Sequence, residues 1–117
     1  MTAVHLEVGA AALVAALTAS GYEVLQQGEF VTFAYRIEVG TRAGEEIRIG
    51  LQIPGDWPMS PPPGPHISPP FGHPGGAVHP SPLGTDWEYW SRPAQNWPAD
   101  RTVRSYLRHL RTLFSQI

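Results

Sequence analysis

The chain has 117 residues, 42% of them apolar and 15% charged, with a formal net charge of −2. That length fits one domain with a modest core, and the charge gives no reason to expect a nucleic-acid or anionic-membrane partner. There is no cysteine, which excludes disulfides, thiolate metal sites and thiol nucleophiles, and all eight basic residues are arginine, which excludes modification at a lysine.

Thr2 to Ser20 reads as a helix. Leu6, Ala10, Leu13, Val14 and Leu17 recur at helical spacing, and Gly21 is placed to stop it in the left-handed region. Gly9 weakens the middle of that helix. The apolar stretch Ala10 to Ala19 is too short for a membrane span, and no basic residues precede it as in a signal peptide, so a cytoplasmic location is expected.

Three strands follow. Tyr22 to Gln26 comes first. Phe30 to Val39 alternates Val31, Phe33, Tyr35 and Ile37 against a wetter face, and Ile47 to Ile53 alternates Ile47, Ile49, Leu51 and Ile53 against Arg48, Gly50 and Gln52. Short turns join them, which predicts an antiparallel meander covered by the first helix, with Pro65 to Ser68 as a fourth extended piece. The third strand ends at Pro54 and Gly55, because proline lacks the amide donor that a ladder needs.

All 13 prolines lie between Pro54 and Pro98. Such a composition also fits a disordered linker, but Trp87, Trp90 and Trp97 in its second half favour a long ordered loop held by aromatics. Asp100 to Gln116 closes the chain as a helix. Asp100 is its expected cap, with Val103, Tyr106, Leu107, Leu110, Leu113 and Phe114 on the apolar side and Arg104, Arg108 and Arg111 opposite. The expected class is α+β with 1–117 as a single domain.

With those elements in order, the chain resembles the ubiquitin-conjugating enzyme (UBC) superfamily. Ile53-Pro54-Gly55-Asp56-Trp57-Pro58-Met59-Ser60-Pro61-Pro62 is similar to the family's proline turn, with Trp57 in the tyrosine place and Met59 in the phenylalanine place. His73-Pro74 is similar to the start of its His-Pro-Asn motif, and Trp97-Pro98-Ala99 to the Trp-Ser-Pro before the next helix. Thr102, Val103, Tyr106, Leu107, Leu110, Leu113 and Phe114 then fall in register with that helix. Trp90-Ser91-Arg92 resembles the divergent bacterial branch. The resemblance implies a UBC-like fold: an N-terminal helix, a four-stranded meander, a long proline- and tryptophan-rich loop and a C-terminal helix. It implies as partners a ubiquitin-like protein, an activating enzyme and a peptidase of the same system.

Two departures shape the expected chemistry. The family's nucleophilic cysteine is absent, and Gly75 stands where an asparagine stabilises the oxyanion, a donor whose loss costs roughly 10²–10³ in rate. Thioester transfer is therefore excluded. One surviving reading is a carrier that forms a serine oxyester. Ser81 lies near the expected position counted forward from His73, Ser91 counted backward from Trp97, and His79 or His73 would take the hydroxyl proton. Another is a catalytically inactive variant that binds a ubiquitin-like protein or a true conjugating enzyme. A third is a module for proline-rich peptides with a Trp87–Trp90 groove.

Each of these residues also has a plainer role. Ser81, between two prolines, suits a turn, and His73 suits a loop anchor. Trp57, Pro58, Pro62 and Trp97 are expected to hold the loop, while Trp87, Tyr89, Trp90 and Arg92 form the expected partner-binding patch. His66, His73 and His79 match no metal spacing and have no carboxylate near before Asp86, so neither a metal nor another cofactor is expected.

Overall fold

The computed structural model describes residues 8–117. It is α+β: helix α1 (Ala10–Ala19), strands β1 (Leu25–Gln27), β2 (Phe30–Arg36), β3 (Glu46–Gln52), β4 (His66–Ser68), β5 (Val78–Ser81) and β6 (Gly84–Trp90), a 3-10 turn (Trp97–Ala99) and helix α2 (Val103–Ser115). The strands form one antiparallel sheet in the order β1-β2-β3-β4-β6-β5. Six strands thus replace the expected four. The stretch read as irregular loop supplies β5 and β6, and Pro80 is tolerated because β5 lies at the sheet edge, where a missing amide breaks no ladder.

The register sorts side chains to two faces. Phe33, Ile49, Ile67 and Glu88 stand in one row, and Trp90 shares that face. On it pack Leu13 and Leu17 from α1, and Val103, Tyr106, Leu110, Leu113 and Phe114 from α2, so both helices cover the same side. The alternation in β2 and β3 fixes this. Val31, Phe33, Tyr35, Ile47, Ile49 and Leu51 are all buried.

Gly9 begins the described helix rather than interrupting one. Its φ of 77° is open to glycine, and its N–H donates to the Trp57 carbonyl at 3.0 Å, docking α1 on the proline turn. The part of the expected helix before it, with Leu6, lies outside the described residues. Gly21 (φ 99°) ends α1 as expected. For α2 the cap is Thr102, whose hydroxyl accepts from the Ser105 N–H at 3.2 Å. Asp100 instead accepts from the Thr102 hydroxyl and pairs with Arg108, both at 2.8 Å.

The proline-rich segment is fastened at both ends. Trp97 packs tilted against Trp57, with ring centroids 5.4 Å apart, and donates its indole N–H to the Pro58 carbonyl at 2.9 Å. Tyr106 donates to the Pro63 carbonyl at 2.7 Å. Pro62 is buried, and a Cβ on Gly64 would overlap the Trp90 carbonyl. Trp57, Pro58, Pro62 and Trp97 therefore act as the anchor of the segment.

Candidate functional site

On the face of the sheet away from the helices, Thr32, Gly50, His66, Tyr89 and His79 form a row across β2, β3, β4, β6 and β5. The β5–β6 hairpin curls over this row. A Cβ on Gly50 would overlap the end of Leu83 and press on the Trp87 ring, so Leu83 and Trp87 roof the position that glycine leaves open. Beneath them His66 is buried (4% exposed), stacked on Tyr89 at 4.6 Å and edge-on to Phe30 at 4.9 Å.

His66 meets Ser81. Its Nδ1 lies 2.7 Å from the Ser81 Oγ, which also accepts the Leu83 N–H at 3.1 Å. In the tautomer that carries the ring proton on Nε2, Nδ1 accepts the Ser81 hydroxyl hydrogen while Oγ accepts the Leu83 amide. Burial pushes the His66 pKa down to about 4, so the ring is neutral at pH 7 and free to accept a proton. A hydroxyl bonded to an unprotonated imidazole is the minimal arrangement for general-base activation.

The histidines expected to serve Ser81 lie elsewhere. His73 is buried, accepts the Gly75 N–H at Nδ1 (3.0 Å) and donates from Nε2 to the Leu113 carbonyl (3.3 Å). Both nitrogens are engaged, so His73 splices its loop to α2. His79 is exposed and tilts over Tyr89 at 6.0 Å. Ser91 is exposed, its N–H donates to the Ala77 carbonyl at 2.8 Å, and among the described residues no base hydrogen-bonds its hydroxyl.

Arg92 explains Gly75. Its Nη2 donates to the Gly76 carbonyl at 3.0 Å, and its guanidinium occupies the space that any side chain at 75 would need. The Arg92 carbonyl in turn accepts from His109 Nε2 at 2.8 Å, and burial lowers the His109 pKa against the raising effect of that bond. Arg92 is thus a clamp on its own loop.

The expected patch of Trp87, Tyr89, Trp90 and Arg92 is not one surface. Trp87 and Trp90 are three residues apart in β6, so they project to opposite faces. Trp90 is fully buried, donates to Glu88 Oε2 at 2.8 Å and packs against Phe71 and Phe114. A groove made of the two indoles does not exist. Trp87 and Tyr89 are half-buried parts of the roof over His66.

Two residues take roles that the sequence does not announce: His66, which there stands only among histidines without metal spacing, and Glu88. His66 carried a signal, because an extended Pro65–Ser68 with Ile67 in the core must turn its neighbour to the other face. Its meeting with Ser81, 15 positions away, depends on the unrecognised hairpin. Glu88 is buried beside Trp90, and its Oε2 accepts from the Phe71 N–H (3.2 Å), the Gly72 N–H (2.7 Å) and the Trp90 indole. Between two tryptophans it reads as a surface charge.

Among the described residues no three His, Asp or Glu side chains converge into a metal site, and no helix is long and apolar enough to cross a membrane. Compared with known proteins, the chain matches no family model, no curated protein and no solved structure, so a functional reading rests on its own residues and on the motif resemblance.

Proposed function

We propose that the protein is a UBC-like carrier in a ubiquitin-like protein conjugation system, in which an oxyester on Ser81 replaces the family's thioester. The observation that carries this reading is the 2.7 Å contact between Ser81 Oγ and His66 Nδ1. In the step proposed, Oγ attacks the C-terminal carbonyl of a ubiquitin-like protein held as a thioester on its activating enzyme. The hydroxyl proton passes to Nδ1, the C–S bond breaks, and the thiolate leaves and takes up the proton. Attack requires Leu83 and the hairpin tip to yield, because Ser81 is half-buried.

A second reading has its own support. Lowering the His66 pKa from 6.5 to about 4 opposes the imidazolium of that step by about 3 kcal/mol. His73 and Arg92 are occupied in holding the loop. Those observations favour an inactive variant that binds a ubiquitin-like protein without bonding to it.

One assay separates the two. The protein is mixed with activating enzyme, ATP and the ubiquitin-like protein, then run on a denaturing gel. The carrier reading predicts an adduct that survives reducing agent, is cleaved by hydroxylamine, and is lost in Ser81→Ala but kept in Ser91→Ala. A co-eluting complex in native conditions with no adduct on the gel establishes the inactive variant instead.

A further inference from the structure

We propose that the exposed face of α2 is a docking surface for an acidic segment of a partner protein. Arg101, Arg104, Arg108 and Arg111 recur at helical spacing, and all four are exposed, opposite the buried Val103, Tyr106, Leu110 and Leu113. Half of the protein's arginines therefore lie in residues 100–117, where Asp100 is the single acid. The other 99 residues carry nine acids against four arginines. The molecule is mildly acidic overall, and half of its positive charge is gathered on α2 and the residues just before it.

The placement runs against helix stability. A helix favours acids in its first turn and bases in its last, because the unpaired N–H groups leave a partial positive charge at the start. In α2 the first turn has no acid and contains Arg104, Arg101 sits just before it, and the last turn has no base. Fixed backbone dipoles and guanidinium groups thus add to one positive field. Ion pairs relieve part of it: Asp100, which also accepts from the cap hydroxyl of Thr102, meets Arg108 at 2.8 Å, and Glu38 meets Arg111 at 3.3 Å. Arg101 and Arg104 have no carboxylate within 4.0 Å among the described residues.

The surface also has relief. A cleft of about 180 Å³ runs beside the stripe, lined by Arg104, Arg108, Arg111, Tyr22, Tyr35 and Leu107, with Glu38, the ion-pair partner of Arg111, as its single acid. Burial and the nearby Glu38 carboxylate push the Tyr35 pKa up to about 12, so its ring remains a neutral wall. Guanidinium groups beside phenol rings in one cleft suit a segment that alternates carboxylates with aromatic or aliphatic side chains. A long polyanion such as RNA would extend past the stripe onto the acidic remainder of the molecule, which disfavours it.

Fluorescence anisotropy tests this with the whole protein. The probes are a labelled peptide of repeating Glu, Asp and Tyr, its Gln/Asn counterpart, its Lys/Arg counterpart, and a single-stranded oligonucleotide. The acidic peptide should bind, and raising salt from about 50 to about 200 mM should weaken it severalfold. The double variant Arg101→Glu, Arg104→Glu should weaken it about tenfold or more and should bind the Lys/Arg peptide better than the parent does. Arg36→Gln, on the other face of the sheet, should leave binding unchanged. Equal binding of the Gln/Asn peptide overturns the proposal, as does an equal loss in Arg36→Gln. So does a double variant that gains nothing for the basic peptide, or an oligonucleotide that binds more tightly than the acidic peptide.

Discussion

Glu88 illustrates how one side chain can hold several pieces of chain. Its carboxylate, buried beside the core, satisfies two loop amides and one indole. Removing it leaves three donors without partners, and each buried unsatisfied group costs about 1–3 kcal/mol. Glu88→Ala should therefore lose at least about 3 kcal/mol in urea denaturation, and Glu88→Gln, which keeps an acceptor oxygen, about half as much. Equal stability in all three proteins would contradict this role. His66 makes a different prediction. Its folded pKa of about 4 lies below the ordinary 6.5, so the unfolded chain binds the extra proton at intermediate pH. Its contribution is complete above about pH 6.5 and is lost progressively as pH falls towards about 4, by about 3 kcal/mol in all. His109, also lowered by burial, acts in the same direction. Denaturation curves between those limits should show a smaller pH slope in His66→Gln than in the parent.

At the level of elements, the β5–β6 hairpin decides what the outer face can do. It was hard to see in the sequence because Val78-His79-Pro80-Ser81-Pro82-Leu83-Gly84 carries two prolines, and local preference argues against a strand there. Edge placement removes the objection, but edge placement is a fact of the sheet and not of the segment. The β2 and β3 alternation and the α2 apolar stripe were legible, since each buries one face and repeats at its own period. The α2 cap was misread by two residues because Asp100 and Thr102 are both good capping residues, and only their geometry distinguishes them. The roof over His66 depends on the missing side chain at 50. Gly50→Ala would push Leu83 aside and press on Trp87, at a cost of about 1–3 kcal/mol. Its His66 ring resonances should shift in NMR spectra as the Ser81 contact loosens; an unchanged spectrum would mean that the hairpin is not held there.

Over the whole molecule, the two faces of one sheet have separate tasks. Helices α1 and α2 bury one face and fix the tryptophan-anchored segment, while the hairpin closes the other around Ser81 and His66. The α+β class, both helices and the meander followed from periodicity. The meeting of Ser81 with His66 did not, because it depends on the long-range pairing of β4 with β6, which carries the β5–β6 hairpin to β4 and which no local pattern encodes. The proposed carrier role makes this pair its centre. The most direct test is a tandem mass spectrum of the protein after reaction with a ubiquitin-like protein supplied as a C-terminal thioester. The tail should be found in ester linkage on Ser81, and His66→Gln should slow its appearance. A tail mapped to any other residue, or unmodified protein after the thioester is consumed, would contradict the account.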